Sequence, residues 1–494
     1  MAAARFPGNS GLLQVHGTSR QTSAMQSSLR PRKLHAQAGC EEGRVGSRPN
    51  TASACGNTRS RSYWEWRVSL FWILVGTVWA ATGCMSVITN PIEMARAGGK
   101  PHLGPPLPPG QGMLAGQVVH EGKPVADAVV LVAQPAGTPH VTHTDAKGHY
   151  LLTDLPQGPY VPIAGASGFE YGMPRSILGL PVSVTVQDNV TAVAPVIELE
   201  LELRDVLGPV AAETYSLEPA GSYVVETPFP KGARAQVHRW TFERAEAVND
   251  SLYLYLPLDA GPQDPIPMLL ALYPNATRNW EDISVGFASQ GFGVVAMSPI
   301  GARGRNVTEH ALDARLMLQF ASQGLLDPRL DDSRLLAISG SYGAAILNKL
   351  IRISDREFAA VVTLGGISNA FTGAAAFYSG EMEWPLVLRY ALAMLGTANE
   401  RPDSYMQYAP VYSASAMPPI LLIHTLKDEM VPLSQSLEYE AALRDAGVPV
   451  ETIYFEDESH YLKLGVRTSD TTRFLFASVL DFLHGWLEQP SDTP

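Results

Sequence analysis

Five uninterrupted apolar runs, each separated from the next by helix-compatible sequence, set the tightest limit on how this chain can fold. They cover residues 268–272, 293–297, 335–338, 359–363 and 419–423. A strand with one wet face alternates apolar and polar residues, whereas a continuous apolar run belongs to a strand covered on both faces. Alternation of such strands with helices is the pattern of a mostly parallel, doubly wound sheet. Residues 213–488 are therefore expected to form an α/β domain. In open sheets of this kind, reactive side chains gather at the carboxyl ends of the strands.

Three segments place reactive residue types at those ends. The third run ends in Ser339-Gly340-Ser341-Tyr342-Gly343 and passes into a helical stretch at 344–353. Small neighbours are needed there because a serine on a sharp strand-to-helix turn leaves no room for larger side chains. The run 419–423 continues into His424-Thr425-Leu426-Lys427-Asp428-Glu429, offering Asp428, with Glu429 as a weaker substitute. A further strand, 451–455, leads into Glu456-Asp457-Glu458-Ser459-His460. Serine is a poor nucleophile until a base takes its proton. His460 would do that while Asp428 fixes its tautomer. The plain reading, a capping serine, a turn aspartate and a loop histidine, needs three coincidences in the right order. The chemistry requires neither a metal nor a cofactor.

These residues also carry a resemblance. Asp327-Pro328-Arg329-Leu330, Gly340-Ser341-Tyr342-Gly343, Tyr408-Ala409-Pro410-Val411-Tyr412, Lys427-Asp428-Glu429-Met430-Val431-Pro432 and Phe455 to His460 look like the catalytic domain of the prolyl oligopeptidase family. Dienelactone-hydrolase-like and acetyl-xylan-esterase-like enzymes share much of the pattern. The resemblance implies an α/β-hydrolase fold, catalytic Ser341, Asp428 and His460, and hydrolysis of an ester or peptide bond through an acyl-enzyme. No β-propeller repeat is present, so the gate that limits oligopeptidases to short peptides is missing. One oxyanion donor should be the backbone N–H of Tyr342. The other should come from Tyr273-Pro274-Asn275-Ala276-Thr277, where relatives carry His-Gly or Tyr-Gly. Pro274 has no N–H, which leaves the backbone of Asn275 or the hydroxyl of Tyr273, a residue equally suited to core packing. Residues 369–408, rich in methionine and aromatic residues, are expected to cap an apolar substrate pocket, or to serve as helical core. Glu381 and Glu383 in this insertion fit solvated helix charges better than an amine-binding pair.

Ahead of the α/β domain, residues 112–203 show short β runs with turns such as Gly122-Lys123-Pro124. They resemble the carboxypeptidase regulatory-like domain, a small all-β sandwich, expected here as a spacer or adhesive module. His140, His143 and Asp145 suit exposed hairpin positions better than a metal site. Residues 85–111 are expected to be a Pro/Gly-rich linker, and 1–60 to be disordered or to lie ahead of the true start. Between them, 61–84 pairs a basic flank with a short apolar run, 68–81, and ends in Ala81-Thr82-Gly83-Cys84. That resembles a lipoprotein signal with Cys84 as the lipidated residue; a plain membrane anchor is the alternative. Either way the chain is expected to be exported and membrane-anchored at the cell envelope. Charge is uneven: ten of 36 Lys/Arg but only three of 48 Asp/Glu precede residue 68. The strongly acidic remainder would repel a phosphate backbone, so nucleic acid is excluded as a partner, and a small ester or peptide substrate is expected. The rival is a surface binding or adhesion protein on a hydrolase fold that has lost activity.

Overall fold

The computed structural model describes residues 108–202, 207–456, 459–460 and 469–488. The expectations for 1–60, for the run ending in Cys84 and for nearly all of the linker lie outside them. Among the described residues, no helix is long and apolar enough to cross a membrane.

A nine-stranded sheet organises the larger domain. Its spatial order is Glu218–Thr227, Ala233–Arg244, Ala247–Pro257, Gly293–Met297, Ile266–Leu272, Leu330–Gly340, Phe358–Leu364, Ile420–Thr425 and Val450–Phe455. The first three are antiparallel, Ala247–Pro257 pairs antiparallel with Gly293–Met297, and every later pairing is parallel. This is the α/β-hydrolase fold. Side-chain alternation splits each buried strand between two cores. Met268, Leu270 and Leu272 enter one cluster with helix Val307–Ser322, whereas Leu269 and Ala271 enter the other with helix Asp470–Leu487. Continuous apolar runs follow directly, since neither face is wet. The order reverses beside Ile266–Leu272, with the next strand in sequence on one side and the one after that on the other. A crevice opens at such a reversal, beyond the carboxyl ends of the strands.

Between Phe358–Leu364 and Ile420–Thr425 stand three α-helices, Ala370–Ser379, Leu386–Leu395 and Pro402–Met406. The first is capped by Asn369, whose side chain accepts from the N–H groups of Phe371 and Thr372. Both readings of this insertion describe part of it. Phe371, Phe377 and Tyr405 are core residues, while Leu388, Leu392 and Leu395 line the cavity described below. Glu381 and Glu383 are exposed.

The small domain contains a five-stranded sheet built around Gly112–His120 and a three-stranded one centred on Val129–Ala133. Val130 and Val132 pack inward with Leu114, Val118 and Tyr150. The opposite face of the same strand, Val129, Leu131 and Ala133, packs with Phe371, Ala374 and Tyr405 of the insertion. This domain is docked on the hydrolase domain. The N–H of Val161 donates to the Asn399 carbonyl at 2.9 Å, and the Asn399 amide returns a bond to the Pro159 carbonyl at 3.0 Å. Gly137 sits where a Cβ would strike the Phe371 carbonyl. A buried charge cluster completes the contact: Glu202 meets Arg352 at 2.9 Å and Lys349 at 3.1 Å, and Lys349 also meets Glu170 at 2.7 Å. Both cations stand on helix Tyr342–Ile353, the one that starts beside Ser341. His140, in strand Pro139–His143, lies 3.2 Å from the Gln134 amide through its Nε2.

Candidate active site

Strand Leu330–Gly340 delivers Ser341 to a turn with φ 49° and ψ −122°, a conformation that non-glycine residues rarely adopt. A strained residue of this kind persists only where its surroundings hold it. Here the Ser341 N–H donates to the Leu364 carbonyl at 2.9 Å, and its own carbonyl accepts from Ala344 at 3.1 Å. The hydroxyl caps no helix, although the residue occupies the N-cap position. Gly343 explains the motif: a Cβ there would strike the carbonyl of Leu272, the last residue of the neighbouring strand. Ser339, which stands where the motif usually has its first glycine, is buried, and among the described residues its hydroxyl has no hydrogen-bond partner.

Asp428 and His460 are both buried and joined by a 2.7 Å bond from the His460 Nδ1–H to Oδ2. The other carboxylate oxygen accepts from the N–H groups of Met430 and Val431, each at 2.8 Å. Burial by itself would raise the Asp428 pKa. The hydrogen bonds from His424 and His460, the His460 charge and the Val431 N–H outweigh it and hold the carboxyl well below the usual carboxylate range. With the folded pKa depressed, the stability this group contributes is complete above its unfolded value, near ~3.9, and is lost as pH falls through the folded one. Asp428→Asn should therefore flatten the loss of stability below pH ~4, as read from urea midpoints measured across that range. Asp428 itself stays ionised at neutral and mildly acidic pH.

Glu429 is no substitute for Asp428. Its carboxylate accepts from the backbone N–H of His460 at 3.0 Å, which anchors the histidine loop. His424 went unassigned in the sequence. It is fully buried, with Nε2 2.8 Å from the Val431 carbonyl and Nδ1 2.6 Å from the Ser436 hydroxyl. The carbonyl can only accept, so the proton belongs on Nε2 and Ser436 donates to Nδ1. The same Nε2 lies 3.4 Å from Asp428 Oδ2 as a longer second contact. His424 thus braces the turn that carries Asp428.

Gly365 joins these parts. It follows Leu364, the Ser341 partner, and has φ +54°. A Cβ there would lie 3.2 Å from the His460 ring and 3.3 Å from Asp428 Oδ2. Ser341 and the Asp428–His460 pair therefore converge on two successive residues. Gly365→Ala is expected to displace the imidazole and cut kcat by about 100-fold with little change in KM. Steady-state kinetics on any turned-over ester would measure it.

The loop Tyr273-Pro274-Asn275 lies beside the serine turn through Gly343 and Leu272. Tyr273 has its hydroxyl 2.7 Å from that of Ser284, and its ring stacks on Trp280 at 5.3 Å. It is a core residue, which corrects the hydroxyl-donor expectation. The Asn275 side-chain carbonyl accepts from Asn279 at 3.0 Å and from the Trp280 indole at 3.1 Å. Those bonds fix the loop and place the Asn275 backbone beside Pro274, which lines the cavity. Tyr342 opens its helix, so its N–H is one of the donors an α-helix leaves without an internal partner.

Ser341, Tyr342 and Pro274 border a cavity of about 480 Å³. Its far wall is apolar, formed by Trp384, Leu388, Leu392 and Leu395 of the insertion.

Comparison with known proteins matches both domains. The prolyl oligopeptidase family matches residues 317–490, and the carboxypeptidase regulatory-like domain matches residues 113–198. The uncharacterized peptidase YuxL of Bacillus subtilis is 25% identical over 214 residues, 41% of this chain and 30% of that protein. Esterase LipQ of Mycobacterium tuberculosis is 25% identical over 185 residues, 35% of this chain and 43% of that one. The uncharacterized peptidase YtmA of Bacillus subtilis is 28% identical over 181 residues, 36% and 68% respectively. The chain thus spans less than half the length of the first two. It carries a prolyl oligopeptidase family domain, on an α/β-hydrolase fold, preceded by a carboxypeptidase regulatory-like domain.

Proposed function

We propose that this chain is a serine hydrolase that cleaves ester or peptide bonds through Ser341, His460 and Asp428. The observation that carries the reading is the convergence at residues 364–365 of a serine at positive φ and a buried Asp–His pair. Ser341 attacks the scissile carbonyl while His460 takes its proton and then passes it to the leaving group. Water next attacks the acyl-enzyme with His460 again as base. Asp428, held ionised, keeps the Nδ1 proton in place and stabilises the imidazolium. The oxyanion is held by the N–H groups of Tyr342 and Asn275, each worth about 3 kcal/mol in the transition state. The triad is common to esterases and peptidases, so the bond class is decided by the cavity and not by these residues.

The test is hydrolysis of short acyl p-nitrophenyl esters and of a peptide-amide panel, together with fluorophosphonate labelling of the wild type and Ser341→Ala. Turnover and labelling that both vanish in the variant support the reading, and the preferred panel names the bond. Equal inertness of both proteins to substrates and probe leaves a binding protein on a hydrolase fold. The chain is further proposed to be exported and tethered through a lipid on Cys84. Cys84→Ala would then move it from the membrane fraction to the soluble one.

A further inference from the structure

Among the described residues lining the Ser341 cavity, Arg305 alone carries a charge. It also borders a second cavity, of about 630 Å³, at the contact between the two domains, and the two cavities share Gly304, Arg305, Leu395 and Tyr408. Arg305 therefore stands at their junction. Two other polar groups nearby are engaged within the protein. Gln435 accepts from the N–H groups of Ser368 and Asn369 and donates to Thr372. The Tyr408 hydroxyl donates to the Arg305 carbonyl at 2.8 Å.

The acids around the second cavity are matched as well. Glu309 meets Arg244 at 2.8 Å, Glu170 meets Lys349 at 2.7 Å, and Asp403 meets Arg401 at 3.2 Å. Among the described residues, no carboxylate forms an ion pair with Arg305. Its backbone is nevertheless pinned. Two residues before it, Arg303 is held by Asp313 at 3.0 Å and by the Arg244 carbonyl at 2.5 Å. Asp313 is fully buried and also takes Arg244 at 2.5 Å. Arg305 is solvent-exposed on this pinned loop at the junction of the two cavities, and a guanidinium grips a planar anion there with two parallel N–H bonds.

Resting on the hydrolase reading, we propose that Arg305 is a specificity residue that binds a substrate carboxylate, so that the preferred ester or amide carries an anionic group a short aliphatic chain away from the scissile carbonyl. The aliphatic part fills the space lined by Trp384, Leu388 and Leu392, and the carboxylate meets Arg305 at the junction. A free amine finds no counter-charge in this chamber.

The experiment uses the full chain and two matched substrate pairs. One pair places the carboxylate on the acyl side: p-nitrophenyl hydrogen glutarate against p-nitrophenyl butyrate. The other places it on the leaving side: 3-carboxyphenyl butyrate against phenyl butyrate. Arg305→Gln should lower the charged-to-neutral ratio of kcat/KM by about tenfold or more in one pair, chiefly through KM. The wild-type ratio should also fall as salt screens the pair. Ratios that stay within about twofold of wild type in both pairs would overturn the proposal. Binding of the same four esters to Ser341→Ala, with and without Arg305→Gln, separates the two readings. If the wild type cleaves none of the esters and no peptide amide, and escapes the fluorophosphonate probe, the hydrolase reading fails. In that case a tenfold weakening of charged-ester binding still sustains the Arg305 site, and an unmoved Kd overturns it.

Discussion

Ser341→Ala should lower kcat by about 10⁴-fold or more on any substrate the wild type turns over, while leaving KM and stability nearly unchanged. The size follows from the proposed roles: without the hydroxyl no acyl-enzyme would form, and only the proposed oxyanion donors and binding would remain to assist direct attack by water. Stability is spared for a local reason. Ser341 makes no side-chain capping bond, and alanine meets the same backbone strain at φ 49° that serine already bears. A thermal midpoint within a degree or two of wild type, alongside the lost rate, would therefore separate chemistry from folding. Asp428→Asn should cost a comparable factor, since an amide that turns its NH₂ toward Nδ1 selects the wrong imidazole tautomer. The double variant should be scarcely worse than either single one, because the groups act as a unit. A residual rate near wild type in Ser341→Ala would sink the triad.

Glu202→Gln should destabilise the chain by about 3 kcal/mol or more, an unusually large effect for a residue remote from the serine. The carboxylate is buried and serves two cations at once, Arg352 at 2.9 Å and Lys349 at 3.1 Å. The neutral amide leaves both charges in place without that partner. Lys349 keeps Glu170, and Arg352 keeps the Phe169 carbonyl at 2.8 Å and the face of Tyr171 at 4.5 Å. Those contacts soften the loss without replacing an anion. Because both cations sit on helix Tyr342–Ile353, the damage should reach the site: kcat should fall together with the denaturant midpoint. Replacing Glu202, Lys349 and Arg352 together by apolar residues of similar volume should recover most of the stability, since breaking a buried cluster costs far more than removing it whole. Urea titrations of the single and triple variants would check both statements.

The sheet was legible because burial on both faces writes itself into sequence as continuous apolar runs, and all five runs lie in or at the edge of strands. The first strand of the sheet was not. Glu218–Thr227 lies at the edge, and most of its side chains face solvent. Without a buried face there is no period to read. The serine turn could be read from its small residues, which sterics requires within a few positions of chain. His424 looked like any residue at a strand end until its two ring nitrogens were seen to meet Val431 and Ser436. Tyr273 was ambiguous because a tyrosine serves a core and an oxyanion equally well, and only the position of Ser284 and Trp280 distinguishes them.

The sequence by itself determined the fold class, the two-domain order and the three residues nominated for catalysis, since each depends on burial period or on sterics within a short stretch. Tertiary structure alone decided that Gly365 must be glycine, because its neighbours His460 and Asp428 arrive from 95 and 63 residues further along. It alone also decided that the small domain docks on the helix behind the serine and that Arg305 is left as the charge of the cavity. Contacts between distant segments depend on where the whole chain comes to rest, and no local period encodes them.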